Sequence, residues 1–292
     1  MKMLVTGTSG QLAQSLLEAG LAAGVQIVAL RRPQLDLAIP ATIRHAIADI
    51  RPDVVVNAAA YTAVDKAESE PDLAMRVNGD GAGCVAECCE KLGSTLIHLS
   101  TDYVFDGTKR APYVESDPTG PASAYGRSKL AGEQAVAAAC RRHVILRTAW
   151  VYSPFGNNFV KTMLRLAATR PELGVVDDQI GCPTYAPHLA QAILDITAVV
   201  VGQGAVRPPW GVYHAAGSGE TTWCGFAREI FKQSAERGGP AASVKAIGTA
   251  DYPTPARRPA NSRLDCGKLE TAFGVRMPDW RAGTAACVGR LV

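Results

Sequence analysis

The sequence predicts an α/β fold, a doubly wound parallel sheet with a smaller C-terminal mixed α/β unit. Three observations predict it. Short runs rich in Val, Ile and Leu alternate with longer helical patterns through the first 148 residues. Those runs are apolar throughout, as in strands buried on both faces, rather than alternating with polar residues. A glycine turn, Gly7-Thr8-Ser9-Gly10, stands between the first run and the first helix.

Each element follows from its local pattern. Met3–Thr6 is an apolar strand, and a helix continues from the glycine turn to about Ala19. Gln26–Leu30 is a second strand. Thr42–Ile50 reads as a helix that stops at Arg51, because Pro52 disfavours helical geometry in the residue before it. Val54-Val55-Val56 is a third strand, Leu73–Lys91 one long helix, and Thr95–Ser100 a fourth strand. Ala122–Ala139 is helical and His143–Thr148 is the fifth strand. Beyond Thr148 the rhythm breaks. Helices are expected over Phe159–Ala168, near Ala190–Val200 and over Trp223–Arg237. A turn-rich connector is expected over 207–211 and a proline-rich loop over Pro253–Pro259.

Composition narrows the function classes. The chain has 292 residues, 47% hydrophobic and 20% charged, as suits a globular protein. Thirty Lys and Arg against 27 Asp and Glu leave a net charge of +3. That excess is too small to point to nucleic acid, and no basic run exceeds two residues. No apolar stretch approaches the ~20 residues of a membrane helix; the longest, Ile193–Val201, carries Asp195. The first residues read straight into a strand and a glycine turn, so no signal peptide is expected and a cytoplasmic location is. The cysteines (Cys84, Cys88, Cys89, Cys140, Cys182, Cys224, Cys266 and Cys287) show no Cys-x-x-Cys spacing. They read as small buried hydrophobes in a reducing compartment, and no metal ligand set is expected.

The pattern Gly7-x-x-Gly10-x-x-Ala13 lies between a strand and a helix. There Gly7 makes the tight turn, Gly10 lets a pyrophosphate approach the backbone, and Ala13 lets the helix pack close to the sheet. Free N–H groups at the helix start attract the anion. This is the pattern of a Rossmann-type sheet binding a dinucleotide. Residues 1–148 are therefore expected to form the dinucleotide-binding domain, with segments near 185–216 returning to it. Residues 149–292 are expected to be mainly substrate-binding. The second strand runs into Arg31-Arg32 rather than an acid. An arginine fork grips a 2′-phosphate that a carboxylate would repel, so NADPH is expected over NADH. Asp36 lies toward the adenine side, and Leu37 is counted with it.

Tyr125-Gly126-Arg127-Ser128-Lys129 puts a phenol and an ammonium four residues apart, on one helical face. The ammonium is expected to lower the phenol pKa toward the working range. A phenol so tuned gives a proton to a carbonyl oxygen as hydride reaches its carbon. Lys129 can also bond the nicotinamide ribose. Thr101 and Asp102 end the fourth strand, on the side where open α/β sheets bind ligands. The Thr101 hydroxyl is expected to hold the carbonyl and Asp102 to orient it.

These motifs together resemble the extended short-chain dehydrogenases/reductases. The likeness continues through Asn57-Ala58-Ala59-Ala60-Tyr61-Thr62-Ala63-Val64-Asp65-Lys66-Ala67-Glu68, Ser100 to Gly107 and Arg147-Thr148-Ala149-Trp150-Val151-Tyr152. It extends to Asp178-Gln179-Ile180-Gly181-Cys182-Pro183-Thr184 and Arg258-Pro259-Ala260-Asn261-Ser262-Arg263-Leu264. Within that group, these runs resemble the branch that forms dTDP-L-rhamnose. The resemblance covers nearly the whole chain. It implies reduction of the 4-keto group of dTDP-4-dehydro-β-L-rhamnose by NADPH, or by NADH.

By that resemblance Tyr125 is the acid, Lys129 its partner, Thr101 the carbonyl-binding hydroxyl, and Asp102 part of the same motif. Gly7, Ser9, Gly10, Gln11 and Leu12 line the cofactor phosphates, and Ala58, Ala59, Ala60 and Tyr61 lie beneath the cofactor. Val104, Trp150 and Arg258 face the substrate, Trp150 at the deoxysugar and Arg258 at the diphosphate. Some relatives form a magnesium-bridged dimer through carboxylates. This chain has Gln14-Ser15 and Pro187-His188 in those regions, which counts against a magnesium bridge and leaves a monomer or weak homodimer as the expectation. Two other readings stay open: a reductase or epimerase of another nucleotide sugar, and a non-catalytic regulatory subunit like that of methionine adenosyltransferase. Retention of Tyr125, Lys129 and Thr101 counts against the second.

Overall fold

A computed structural model of the chain describes residues 1–202 and 209–292. The first part is β1 (Lys2–Thr6), α1 (Gln11–Ala22), β2 (Gln26–Leu30), α2 (Pro40–Ile50) and β3 (Val54–Asn57). Pro40 opens α2, where its missing N–H has no helical partner to lose. Arg51 closes the same helix in the left-handed region, at φ 48°. Then come α3 (Val64–Ala67), α4 (Pro71–Met75), α5 (Gly81–Leu92), β4 (Thr95–Thr101), α6 (Ala124–Ala139) and β5 (His143–Thr148). The single helix expected over Leu73–Lys91 is instead α4 and α5 joined by a π-helical turn, Arg76–Asp80. Side-chain bonds from Asn78 in that turn to Tyr61 and Ser128 hold the widened backbone.

Next are β6 (Val151–Tyr152), α7 (Phe159–Ala167), β7 (Glu172–Val176), β8 (Ile180–Gly181), β9 (Thr184–Tyr185), α8 (Ala186–Val201) and β10 (Gly211–His214). Of the expected connector 207–211, residues 207 and 208 lie outside the described residues, and Gly211 already begins β10. The chain ends with β11 (Thr221–Thr222), α9 (Trp223–Ala235), β12 (Ser243–Ile247), β13 (Asn261–Ser262), α10 (Gly267–Phe273) and α11 (Trp280–Gly289).

The main sheet has the order β10-β5-β4-β3-β1-β2 and is parallel throughout. Alternate residues of β1 supply its two faces. Met3 and Val5 join a core with Leu16 of α1 and Ile193 of α8, while Leu4 joins one with Ile43 of α2 and Val85 of α5. Each such buried aliphatic contributes about 1.5–3 kcal/mol. A third core lies among α7, α9 and α11, around Tyr152, Phe226 and Trp280. No helix among the described residues is long and apolar enough to cross a membrane. Because β2 and β3 flank β1 on opposite sides, a crevice opens at the carboxyl ends of β1 and β3, the switch point where such sheets take ligands.

Candidate active site

The loop after β1 has the form a pyrophosphate needs. Gly7 sits at φ 90°, a region that side chains rarely enter, and its N–H donates to the Leu30 carbonyl at 2.6 Å. A side chain at Gly10 would meet nothing within 4 Å, so the backbone there is open to a neighbour. No side chain caps α1, which leaves its first N–H groups free for an anion. Ser9 and Gly10 are exposed. The Leu12 side chain is part of the core, which leaves only its backbone N–H available to a ligand. The Gln11 amide is engaged by Ser153 and Asn158, both donating to its Oε1 at 2.9 Å.

Arg31 and Arg32 follow β2 and are exposed. Asp36 is half-buried and accepts the Ala38 N–H through Oδ1 at 2.9 Å, and the Leu37 side chain is buried in the core. Ala58, Ala59 and Ala60 leave β3 half-buried. The Ala59 N–H donates to Thr6 Oγ1, which donates in turn to Asn57 Oδ1, while Asn57 Nδ2 donates to His98 Nδ1 at 3.1 Å. This chain of bonds fixes the carboxyl ends of β1 and β3 to each other and to the middle of β4. Tyr61 donates to Glu70 at 2.8 Å.

Across the crevice, α6 presents Tyr125 and Lys129 to the end of β4. Ser123 caps the helix by accepting the Gly126 N–H. Gly126 must be glycine, because a Cβ there would stand 2.3 Å from the Tyr103 carbonyl. Thr101 Oγ1 donates to Asp102 Oδ1 at 3.0 Å and accepts the Tyr103 N–H at 3.2 Å. Asp102 Oδ2 is buried without a partner among the described residues. Burial pushes the Asp102 carboxyl up to about 6. Burial also pushes the Tyr125 phenol above its ordinary value; Asp102 adds to this and the Thr101 hydroxyl opposes it. The expected lowering of Tyr125 by Lys129 is therefore corrected: burial and Asp102 raise the phenol, and Lys129 is not among the groups that shift it. Lys129 Nζ donates to the Leu99 carbonyl at 2.6 Å, and burial pulls its pKa down to about 8.

The substrate-side residues divide. The Tyr103 ring meets Tyr125 edge-on at 5.5 Å, and Arg258 reaches both the Tyr103 hydroxyl at 3.2 Å and Asp65 at 2.8 Å. Arg258 is thus already paired with a carboxylate. Val104 is fully buried with Phe105, Tyr113 and Leu264, which assigns its side chain to packing rather than to ligand contact. Trp150 is strained at φ 49°, and its ring stacks on Trp223 at 3.6 Å. A Cβ on Gly181 would stand 2.5 Å from that ring. Trp223 in turn donates to Gln179 at 3.2 Å.

Several residues of this site escaped the sequence reading. Asn78 lies in the π-helical turn, and Trp223 begins α9. Glu133 lies eight residues after Tyr125 on the same stripe of α6, a carboxylate on a buried face, and that spacing was its available signal. In the regions weighed for a magnesium bridge, Ser15 is buried and bonds Gln11, and the His188 ring meets Tyr185 edge-on at 5.0 Å. Among the described residues no cluster of three or more His, Cys, Asp or Glu is placed to hold a metal ion.

The comparisons with known proteins cover the same ground. The family model described as RmlD substrate binding domain matches residues 1–292. The chain is 51% identical to the dTDP-4-dehydrorhamnose reductase of Sinorhizobium fredii, over all of this chain and 98% of that protein. A crystal structure of a dTDP-4-dehydrorhamnose reductase from Clostridium acetobutylicum superposes with a TM-score of 0.92 at 35% identity, covering 100% of this chain and 99% of the other. The Bacillus anthracis enzyme, solved in complex with NADP, superposes with a TM-score of 0.91 at 35% identity, covering 98% of each chain. A full-length match of this kind means that the chain belongs to the RmlD substrate-binding-domain family, to which it is joined from the phosphate loop to the last helix.

Proposed function

We propose that this chain reduces the 4-keto group of dTDP-4-dehydro-β-L-rhamnose to the alcohol of dTDP-L-rhamnose, using NADPH. The observation that carries the reading is the Thr101 hydroxyl bonded to the buried Tyr125 phenol at the carboxyl end of β4, with Lys129 one turn further along α6, in a full-length member of this family. A nicotinamide dinucleotide fits the loop after β1, where Gly7, Gly10 and the uncapped start of α1 face the pyrophosphate. When bound, it supplies the hydride that goes to C4.

The protein's own residues do the rest. Thr101 and Tyr125 hydrogen-bond the keto oxygen. Tyr125 passes its phenolic proton to that oxygen as charge develops, and the phenolate left behind takes a proton back from solvent. The elevated phenol pKa makes Tyr125 a proton holder until the oxygen becomes strongly basic. Lys129 supplies positive charge behind the phenolate and a donor for the nicotinamide ribose. Arg31 grips the 2′-phosphate and favours NADPH. Trp150 offers an apolar face to the deoxysugar, and Arg258 turns from Asp65 to the diphosphate. Residues 1–148 carry the cofactor and 149–292 mainly the sugar nucleotide. Gln14, Ser15, Pro187 and His188 suit a monomer or weak homodimer without a magnesium bridge.

The test mixes purified protein with dTDP-4-dehydro-β-L-rhamnose and follows the absorbance of NADPH and NADH in parallel. Oxidation of NADPH with formation of dTDP-L-rhamnose is expected. No oxidation of either cofactor sinks the reading, and faster oxidation of NADH sinks only the role of Arg31.

A further inference from the structure

Behind the phenol lies a polar group that the proposed reaction does not use. Glu133 is eight residues from Tyr125 and four from Lys129, so the three share one stripe of α6. Its carboxylate is buried, as is Arg147 of β5; Arg147 donates from Nη2 to Oε2 at 2.7 Å and from Nε to Oε1 at 2.9 Å. The same Oε1 accepts from Ser100 Oγ at 2.5 Å, a charge-assisted bond. Arg147 lies over the Phe105 ring at 5.0 Å, and Ser100 and Arg147 are register partners across β4 and β5.

A buried ion pair is a poor way to gain stability, since apolar residues of like volume often serve the fold as well. The Glu133–Arg147 bonds already tie α6 to β5 without Ser100. The Ser100 hydroxyl adds a tie to one further element, the last turn of β4. Lys129 bonds the carbonyl just before Ser100, and Thr101 comes just after it. Two side chains of α6 thus fasten consecutive residues of β4, immediately ahead of the hydroxyl that faces Tyr125.

The geometry points to Ser100, Glu133 and Arg147 as a positioning clamp that holds the Thr101 hydroxyl in register with Tyr125. The clamp rests on the roles proposed above for Thr101 and Tyr125. Its members bond one another rather than a group proposed to meet the substrate, and they act through the backbone of β4. A hydroxyl displaced by even an ångström loses much of its effect on a developing oxyanion.

Ser100→Ala tests this while leaving the Glu133–Arg147 pair whole, and Glu133→Gln removes the charge with little change in shape. For Ser100→Ala, kcat is expected to fall about tenfold or more, with both KM values within about threefold of the parent and the melting temperature retained. Glu133→Gln is expected to give the same split between kcat and KM; should it fail to fold, Ser100→Ala decides alone. A second readout needs no substrate. The Tyr103 amide, which donates to Thr101 Oγ1, should exchange its hydrogen about tenfold faster in Ser100→Ala. Amide exchange unchanged from the parent overturns the clamp, as does turnover within about twofold of the parent. A parent protein that reduces no keto-sugar sinks the proposed reaction instead, and amide exchange then decides the clamp by itself.

Discussion

The ends of β4 and β2 both carry residues assigned to the site, and they are built in opposite ways. At the end of β4, Ser100, Thr101 and Asp102 are buried, and each has a named hydrogen-bond partner. At the end of β2, Arg31 and Arg32 project from an exposed turn. Reduction of a ketone needs a hydroxyl and a phenol fixed to within a fraction of an ångström, and packing provides that. Grip on a phosphate needs only charge within reach, and long solvated side chains provide that at a modest gain. Substitutions at β4 and its partner helix should therefore damage turnover far more than substitutions at β2 damage cofactor binding.

The largest effect is expected for Tyr125→Phe, which removes the proposed proton donor and little else. Turnover should fall by about 10³, equivalent to ~4 kcal/mol of barrier, while NADPH affinity stays within about twofold. Stopped-flow oxidation of NADPH together with fluorescence titration separates the two. Retained turnover would remove the phenol from the chemistry. Thr101→Val should follow with a loss of about 10² in kcat, the usual scale for one oxyanion donor. Equal losses in KM and kcat would instead make Thr101 a binding group.

Gly181→Ala tests the substrate wall proposed at Trp150 next. The new Cβ would stand 2.5 Å from the Trp150 ring, so the ring must move or the strand must shift. The KM for the sugar nucleotide should rise about tenfold with NADPH affinity unchanged, read from steady-state kinetics. Arg31→Ala should raise the KM for NADPH about fivefold and leave that for NADH alone, about 1 kcal/mol for an exposed charge contact. A comparable rise for both cofactors would break the contrast between the two strand ends.

What was legible in the sequence follows the same division. The parallel strands were visible because burial on both faces makes them uniformly apolar, as at Val54, Val55 and Val56. The loop at Gly7 and the Tyr125–Lys129 pair were visible because their geometry is local, set by a turn or by one helical step. The two-residue strands β6, β8 and β9 were not visible, since so short a run has no periodicity. Nor was the π-helical turn at Asn78, because its cause is a bond to Tyr61 and Ser128, distant in sequence. The sign of the Tyr125 shift was missed for a related reason. Spacing shows that Lys129 is near, but only the fold shows how deeply both groups are buried and that Asp102 stands beside the phenol.

The smallest expected effect concerns pH. Burial pulls Lys129 from 10.5 down to about 8, with Glu133 opposing the shift. Glu133 lies on its own helix; His98 on β4 is the other titratable group whose charge interacts with it, and burial keeps that imidazole neutral. A depressed lysine adds stability that is present above about 10.5, the unfolded value, and is lost as pH falls through about 8. Its proposed chemical role runs the other way, because an ammonium, and not a neutral amine, would support a phenolate at Tyr125. Activity should therefore fall as pH rises through about 8, while the Lys129 contribution to stability grows over the same interval. The quantity to follow is kcat/KM, which reports groups of the free enzyme, and it should be about halved near pH 8 relative to its plateau. Lys129→Arg keeps its charge throughout and should push that limb past the accessible range. A limb that stays near 8 in the arginine variant would assign the titration to another group and leave Lys129 as a fixed anchor on the Leu99 carbonyl.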